Sequence, residues 1–345
     1  MVKQLKVTLL GAKPTVRETD PKAYTLYLQA VQIGRQGTPE AFTQSDALLK
    51  QVLEIDPRYA PAWHGRAKNF RDEANMGLLP NSEGYARARA AEEKALALDP
   101  NYAPAHSGLG RIAMTSNDFV SAAKHFKRAL ALDPNDLVVL KDVGTFLQSL
   151  GRLQEALALK EVLVRRDPVN VSALVSLGNV QEYSRQFDAA IASYRNALSL
   201  SPGNGLLHYQ VCEAMLLKGD APAALAEIEQ EKIEDWRLIG LPMAYHALGR
   251  KTESDAALAT LTAKNERWGP YNIAYVYAFR GEPDKAFEWL AKAVQYQDPG
   301  LSHIAVENLF DKIHSDPRWL PFLRKIGRAP EQLAKIQFKV TLPRQ

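Results

Sequence analysis

Along Ala103–Pro202 the apolar positions fall at helical spacing, and the pattern repeats in units of 34 residues. In the first unit Leu109, Ile112 and Ala113 mark an amphipathic helix over Ala103–Ser116. Ala122, Phe126, Ala129 and Leu130 mark a second over Phe119–Leu132. Pro100, Pro134, Pro168 and Pro202 close the units, since proline cannot continue a helix. Small residues keep the same period: Gly110, Gly144 and Gly178 at one position, Ala122, Ala156 and Ala190 at another, with Ala88 and Ala224 on either side. Small side chains let helix axes approach closely, so Gly110 and Ala122 are expected to face each other at a crossing, with Phe126 filling space against the next pair. A large residue at either small position should cost roughly 1–3 kcal/mol. One pair cannot bury its own apolar face, so the period predicts a stacked helix–turn–helix solenoid.

Helical pairs are expected from Pro21. The first covers Pro21–Pro57, with Ser45, Leu49 and Val52 on its second helix and a long turn over Gly34–Glu40. The second, Ala60–Pro100, carries about nine extra residues, assigned to Ala74–Glu83. The sixth starts near Gly205, and its second helix ends within Glu229–Asp235. In the seventh, Gly240 and Pro242 stand where the first helix should begin and shorten it. Trp268–Gln297 is the eighth. Leu301–Ile326, with Phe310, Trp319, Leu320 and Phe322, departs from the repeat and reads as the cap of an uncovered end. The expected organisation is a strand-like segment and linker over 1–20, the array over 21–298, a cap over 299–330 and a tail over 331–345. Met1–Leu10 reads as a strand that belongs to a domain upstream, with pairing to Gln337–Leu342 as the alternative.

The matches at Trp63, Leu109-Gly110, Ala122, Phe126, Ala129 and Pro134 resemble the tetratricopeptide repeat (TPR) family. The resemblance implies an all-α, right-handed TPR superhelix of about eight pairs with a C-terminal capping segment. Leu5–Gly11 followed by Pro21–Leu28, and the ending Ser315–Trp319 with Phe322–Gly327, look like the repeats that follow a TolB-like domain in bacterial signalling proteins. Such proteins often carry an adenylate cyclase, kinase or winged-helix domain upstream, which makes this region a regulatory half.

Composition narrows the chemistry. A hydrophobic fraction of 46% and a charged fraction of 24% are those of a folded chain, and the net charge of +4 is too small for a dedicated nucleic-acid binder. Cys212 is alone, so no intramolecular disulfide or cysteine zinc site forms; it stands where neighbouring pairs have glycine and reads as buried. No apolar run reaches the length of a membrane span. The region reads as soluble, cytoplasmic by default and periplasmic if a membrane segment precedes it. The seven histidines lack metal-ligand spacing, nucleotide-binding and nucleophile-elbow motifs are missing, and Glu182, Glu213 and Glu227 read as solvated faces. No cofactor, metal or catalytic residue is expected.

The implied concave face is the candidate site. First-helix positions one turn apart point inward, giving His64, Lys68 and Arg71, then Arg111 and Lys141. Asn179, Tyr209, Glu213, Tyr271 and Tyr275 follow. This face runs from basic to aromatic and suits an extended segment with an acidic end and an aromatic or aliphatic end. The carboxylate clamp of chaperone-binding repeats is not reproduced, because Thr145 replaces its asparagine and Ser172 and Ser176 its later basic residues. The expected function is a non-catalytic scaffold for a protein or peptide ligand. Self-association is one alternative, and an enzyme site in the late pairs around Trp236–Tyr277 a weaker one.

Overall fold

A computed structural model describes residues 19–340, which fold entirely into helices and turns. Met1–Leu10 lies outside the described residues. Gln337–Val340, the described part of its alternative partner, forms no strand, and Phe338 packs edge-on against Phe146 instead. The described residues up to 109, with 131–133, form one compact unit, and those of 110–130 and from 134 on a second.

Among the described residues sixteen helices form eight consecutive pairs. In the first unit α1 (Pro21–Gly34) pairs with α2 (Pro39–Ile55), and α3 (Ala60–Asn75) with α4 (Asn81–Leu98). The third pair is α5 (Ala103–Thr115) and α6 (Phe119–Leu132). In the second unit follow α7 (Leu137–Ser149) with α8 (Leu153–Arg166), and α9 (Val171–Tyr183) with α10 (Phe187–Leu200). The array continues through α11 (Leu207–Lys218), α12 (Ala221–Ile228), α13 (Glu234–Ala247), α14 (Lys251–Asn265), α15 (Pro270–Phe279) and α16 (Pro283–Gln295). Among the described residues no helix is long and apolar enough to cross a membrane.

The boundaries follow local chemistry. Asp136 and Asn170 cap α7 and α9 by accepting backbone N–H groups with their side chains. The residue before each closing proline, an aspartate except for Ser201, ends the second helix: Asp99 N–H still reaches Ala95 O at 2.8 Å, and the next residue has no N–H to give. Within pairs, the turn residues Asn117, Gly151, Arg185 and Gly219 share one repeat position, and all have left-handed backbone (φ 64°, 74°, 60° and 95°). That conformation favours glycine, so Asn117 and Arg185 depart from the rule of their own repeat.

Three expectations need correction. A Cβ on Gly110 would meet the Phe126 ring at 2.8 Å, so the glycine makes room for Phe126 rather than for Ala122. The nine extra residues of the second pair do not form one loop: α3 and α4 have 16 and 18 residues where α5 and α6 have 13 and 14, and only the turn at 76–80 takes the rest. In the seventh pair α13 starts at Glu234 and runs 14 residues with Pro242 inside it. Glu234 and Asp235 suit its positive N-terminus, and Ser254 Oγ donates to Pro242 O at 2.7 Å where the helix packs on its partner.

Candidate partner-binding face

In the first unit the expected site residues of α3 each lie against a carboxylate. His64 Nδ1 lies 3.0 Å from both Glu92 carboxylate oxygens, and its ring sits edge-on to Tyr102. Lys68 Nζ donates to Asp72 Oδ2 at 2.6 Å one helical turn on, with Arg71 Nε 3.7 Å from Oδ1 of the same aspartate. Arg66, beside them on α3, donates to Asp46 at 2.7 Å and stacks on Trp63.

The second unit is arranged differently, because the chain lies down on its own first helices. After α16 come two 3-10 turns, Pro299–Ser302 and Asn308–Ile313, then α17 (Trp319–Lys325) and α18 (Pro330–Leu333). This segment meets the last pair, as a cap should, through Phe287–Phe322 and Arg318–Asp284. It also returns to α5, α7 and α9. Asp298 anchors its start: one carboxylate oxygen accepts Tyr271 N–H at 3.0 Å and the other Gly300 N–H at 2.9 Å. Gly300 passes directly over Tyr271, where a Cβ would come within 2.4 Å of the ring. His303 stacks on Tyr183 and reaches Ser149 Oγ at 3.2 Å; Asn308 donates to Glu182 O at 2.8 Å. Phe310, fully buried, fits edge-on against Tyr271 and Tyr275 and is backed by Trp319. Asn117 then donates to Ile326 O at 2.7 Å, Arg328 stacks on Phe119, and Arg152 donates to Phe338 O.

Two charge clusters lie beneath this segment. In the first, Lys160 crosses from α8 under Gly144 and donates to Lys141 O, Thr145 Oγ1 and Ser176 Oγ, all neutral. Arg111 is 3.9 Å from Asp142, and Arg328, 1% exposed, has no carboxylate at ion-pair distance among the described residues. Burial, aided by Lys141, pulls the Lys160 amine well below the usual lysine range. Burial and then Arg111, Arg328 and Lys160 push His303 down to about 3, so it is neutral; burial alone lowers Arg328 to about 9. In the second cluster Glu182, Glu213 and Glu307 are buried among Tyr183, Tyr194, Tyr209 and Tyr275. Burial and then the charges of Glu213 and Glu307 raise Glu182 well above the carboxylate range, burial and then Glu307 do the same to Glu213, and burial raises Glu307 to about 7.

Two tetratricopeptide repeat family models match, over residues 103–136 and 147–205. This chain carries tetratricopeptide repeats. It is 28% identical over 116 residues to the BBSome complex member bbs-4 of Caenorhabditis elegans, covering 34% of this chain and 25% of that one. It is 29% identical over 105 residues to the protein O-mannosyl-transferase Tmtc3 of Drosophila melanogaster, covering 30% and 11%. The chain thus spans a quarter or less of the length of these relatives. A human IFIT1 dimer with m7Gppp-AAAA has a similar fold, with TM-score 0.57, 14% identity, and 86% of this chain and 76% of that chain covered.

The tetratricopeptide geometry brings the expected site residues into two separate settings. His64, Lys68 and Arg71 sit together in the first unit. Lys141 lends its carbonyl to Lys160, and Asn179 Oδ1 accepts from Tyr194 OH and from Gln210, both at 2.9 Å. Tyr209 and Tyr275 share a hydroxyl hydrogen bond of 2.7 Å, and with Tyr271 and Glu213 they are buried. Glu182 and Glu213 are therefore not solvated faces, and Glu227 is held 2.6 Å from His208 Nδ1. Lys160, His303, Glu307 and Arg328 escaped the sequence reading. Only Lys160 carried a signal: it occupies the repeat position of Phe126 and Tyr194, where a charge is out of place.

Proposed function

We propose that this chain is a non-catalytic scaffold that recognises a protein or peptide on the inner face of its tetratricopeptide pairs. One observation carries the reading: the inner face of the second unit already holds a polypeptide, its own residues 299–340. Side chains of the array, Asn117 and Arg152, donate to main-chain carbonyls of that segment, and Tyr271 and Tyr275 cradle its Phe310. Such contacts hold an irregular chain whatever most of its sequence, and they leave specificity to a few pockets. The name of the bbs-4 relative, a member of a protein complex, agrees with this role. Placement downstream of a TolB-like domain in a bacterial signalling protein rests on the sequence resemblance alone.

Self-association through the first pair is the second reading, favoured by Leu28, half exposed on α1. Capture from the native cell extract tests both, with the intact chain beside Lys68→Glu/Arg71→Glu, Arg111→Glu/Lys141→Glu and Leu28→Glu variants that keep their helical circular dichroism. A foreign polypeptide retained by the natural chain and lost with an inner-face variant supports the proposal. Loss only of self-assembly, in Leu28→Glu, supports the second reading. Retention by every variant overturns inner-face recognition.

A further inference from the structure

The docked segment fits its bed in shape and opposes it in charge. Ring contacts and main-chain hydrogen bonds hold it, yet two of its side chains, His303 and Glu307, meet like with like. His303 enters among Arg111, Lys160 and the segment's own Arg328, and Glu307 enters beside Glu182 and Glu213. Lys141 adds to the first set, and Asp142, 3.9 Å from Arg111, is the carboxylate that faces it. Asp311 lies beside Glu307 in the second set, but its own ion pair is with Arg185 at the rim. Buried charge without an opposite partner is expensive, and the segment relieves it by keeping His303 neutral and by raising the Glu307 carboxyl toward its protonated form. A residue of opposite sign at either place would gain a desolvated ion pair instead.

Resting on the partner-binding reading above, we propose that residues 303–310 are a resident occupant of the inner face that the true ligand displaces. That ligand is a polypeptide running in the same direction, with an acidic residue in the place of His303, a basic residue four positions later in the place of Glu307, and an aromatic residue in the place of Phe310. A polypeptide is favoured over another polyanion because the second cluster is acidic and the aromatic cradle has an exact side-chain occupant to imitate. The two turn residues that break the glycine rule, Asn117 and Arg185, are those that grip Ile326 O and Asp311, so the segment's hold is built into the repeats.

The test uses the natural full chain and fluorescein-labelled peptides spanning residues 299–314, one with the natural sequence and one carrying His303→Asp and Glu307→Lys. The substituted peptide should bind about tenfold more tightly by anisotropy. Amides of residues 299–314 in the chain itself should lose hydrogen-exchange protection as it binds. In a chain carrying His303→Asp/Glu307→Lys the resident segment is the better match, so the same peptide should bind more weakly and those amides exchange more slowly. Equal binding of the two peptides, tight binding with protection unchanged, or displacement by a 5′-phosphorylated oligonucleotide in place of the peptide would each overturn the inference. A groove-dependent partner from the extract with no peptide discrimination leaves the proposed function standing and removes this ligand chemistry. Discrimination and displacement with no captured partner support the ligand chemistry and remove the cellular reading.

Discussion

The charged side chains along α3 and those beneath the docked segment of the second unit are satisfied in opposite ways. On α3 the side chains of His64, Lys68 and Arg71 each lie against a carboxylate of the same unit. In the second unit Lys160 and Arg328 are buried against neutral acceptors, and three glutamates are buried together. A closed set of ion pairs is a finished surface. Buried, uncompensated charge is retained at a cost, and sites that bind or switch are where such costs are usually kept.

The largest expected effect removes the segment's anchor. Phe310→Ala deletes a fully buried ring that touches Tyr271, Tyr275 and Trp319, and should cost about 3–5 kcal/mol of docking. Hydrogen exchange should show protection lost over residues 299–313 and over the α15 face, with α3 and α4 unchanged. Loss spread evenly over both units would mean that the segment is part of one cooperative core and not a separable occupant.

The contrast in charge pairing is sharpened by two substitutions of similar kind. His64→Leu takes the imidazole from Glu92, a fully buried carboxylate, and should destabilise by about 1–3 kcal/mol in urea unfolding. Lys160→Met removes a buried amine and keeps its volume, so it should be neutral or stabilising by up to about 2 kcal/mol, even with three hydrogen bonds gone. Equal losses at the two sites would show that the neutral acceptors around Lys160 satisfy its charge fully.

The helix pairs were legible in the sequence because each rests on local signals that recur: the closing proline, the small residue beneath Phe126, the turn glycine. The docked segment was not legible for the converse reason. It has no period, and its contacts join residues far apart, as Asn117 to Ile326, so no local pattern reports them. The inner-face residues could be picked by helical position, but their burial could not, because what covers Tyr271 and Glu213 lies in a different kind of sequence. Pro242 shows a milder failure. Its helix began six residues earlier than proline and glycine suggested, since packing against the neighbouring helix outweighs a missing backbone hydrogen bond.

Docking should also respond to pH. Glu182, Glu213 and Glu307 have raised values in the docked state, so docking takes up protons. The contribution of Glu307 is complete below about 4.5 and is lost as pH rises through about 7, and those of Glu182 and Glu213 run in the same direction. His303 acts in the opposite sense: its value is lowered to about 3, so its contribution is complete above about 6.5 and lost as pH falls. Three carboxyls outweigh one imidazole, and the segment should loosen toward alkaline pH. Hydrogen exchange of residues 299–313, corrected for intrinsic rates, should report about tenfold more opening at pH 8.5 than at pH 5.5. Glu307→Gln should flatten the profile. An unchanged slope in that variant would assign the dependence to groups outside the cluster.

The smallest effect concerns the turn at Arg185. Its left-handed backbone (φ 60°) costs about 1 kcal/mol for a residue with a Cβ, and the repeat offers glycine at the same position in Gly151 and Gly219. Arg185→Gly releases that strain and gives part of it back through a freer unfolded chain. It also removes an exposed ion pair with Asp311, which contributes about 0–1 kcal/mol. The terms nearly cancel, so the midpoint of urea unfolding should stay within about 0.5 kcal/mol of the natural chain. Protection of Asn308–Ile313 should nevertheless fall, because strain relief acts on the turn and the lost pair acts on the segment. A variant that keeps both global stability and local protection would make Arg185 an accident of the repeat. One that keeps the first and loses the second shows that the turn has given up its glycine to hold the occupant.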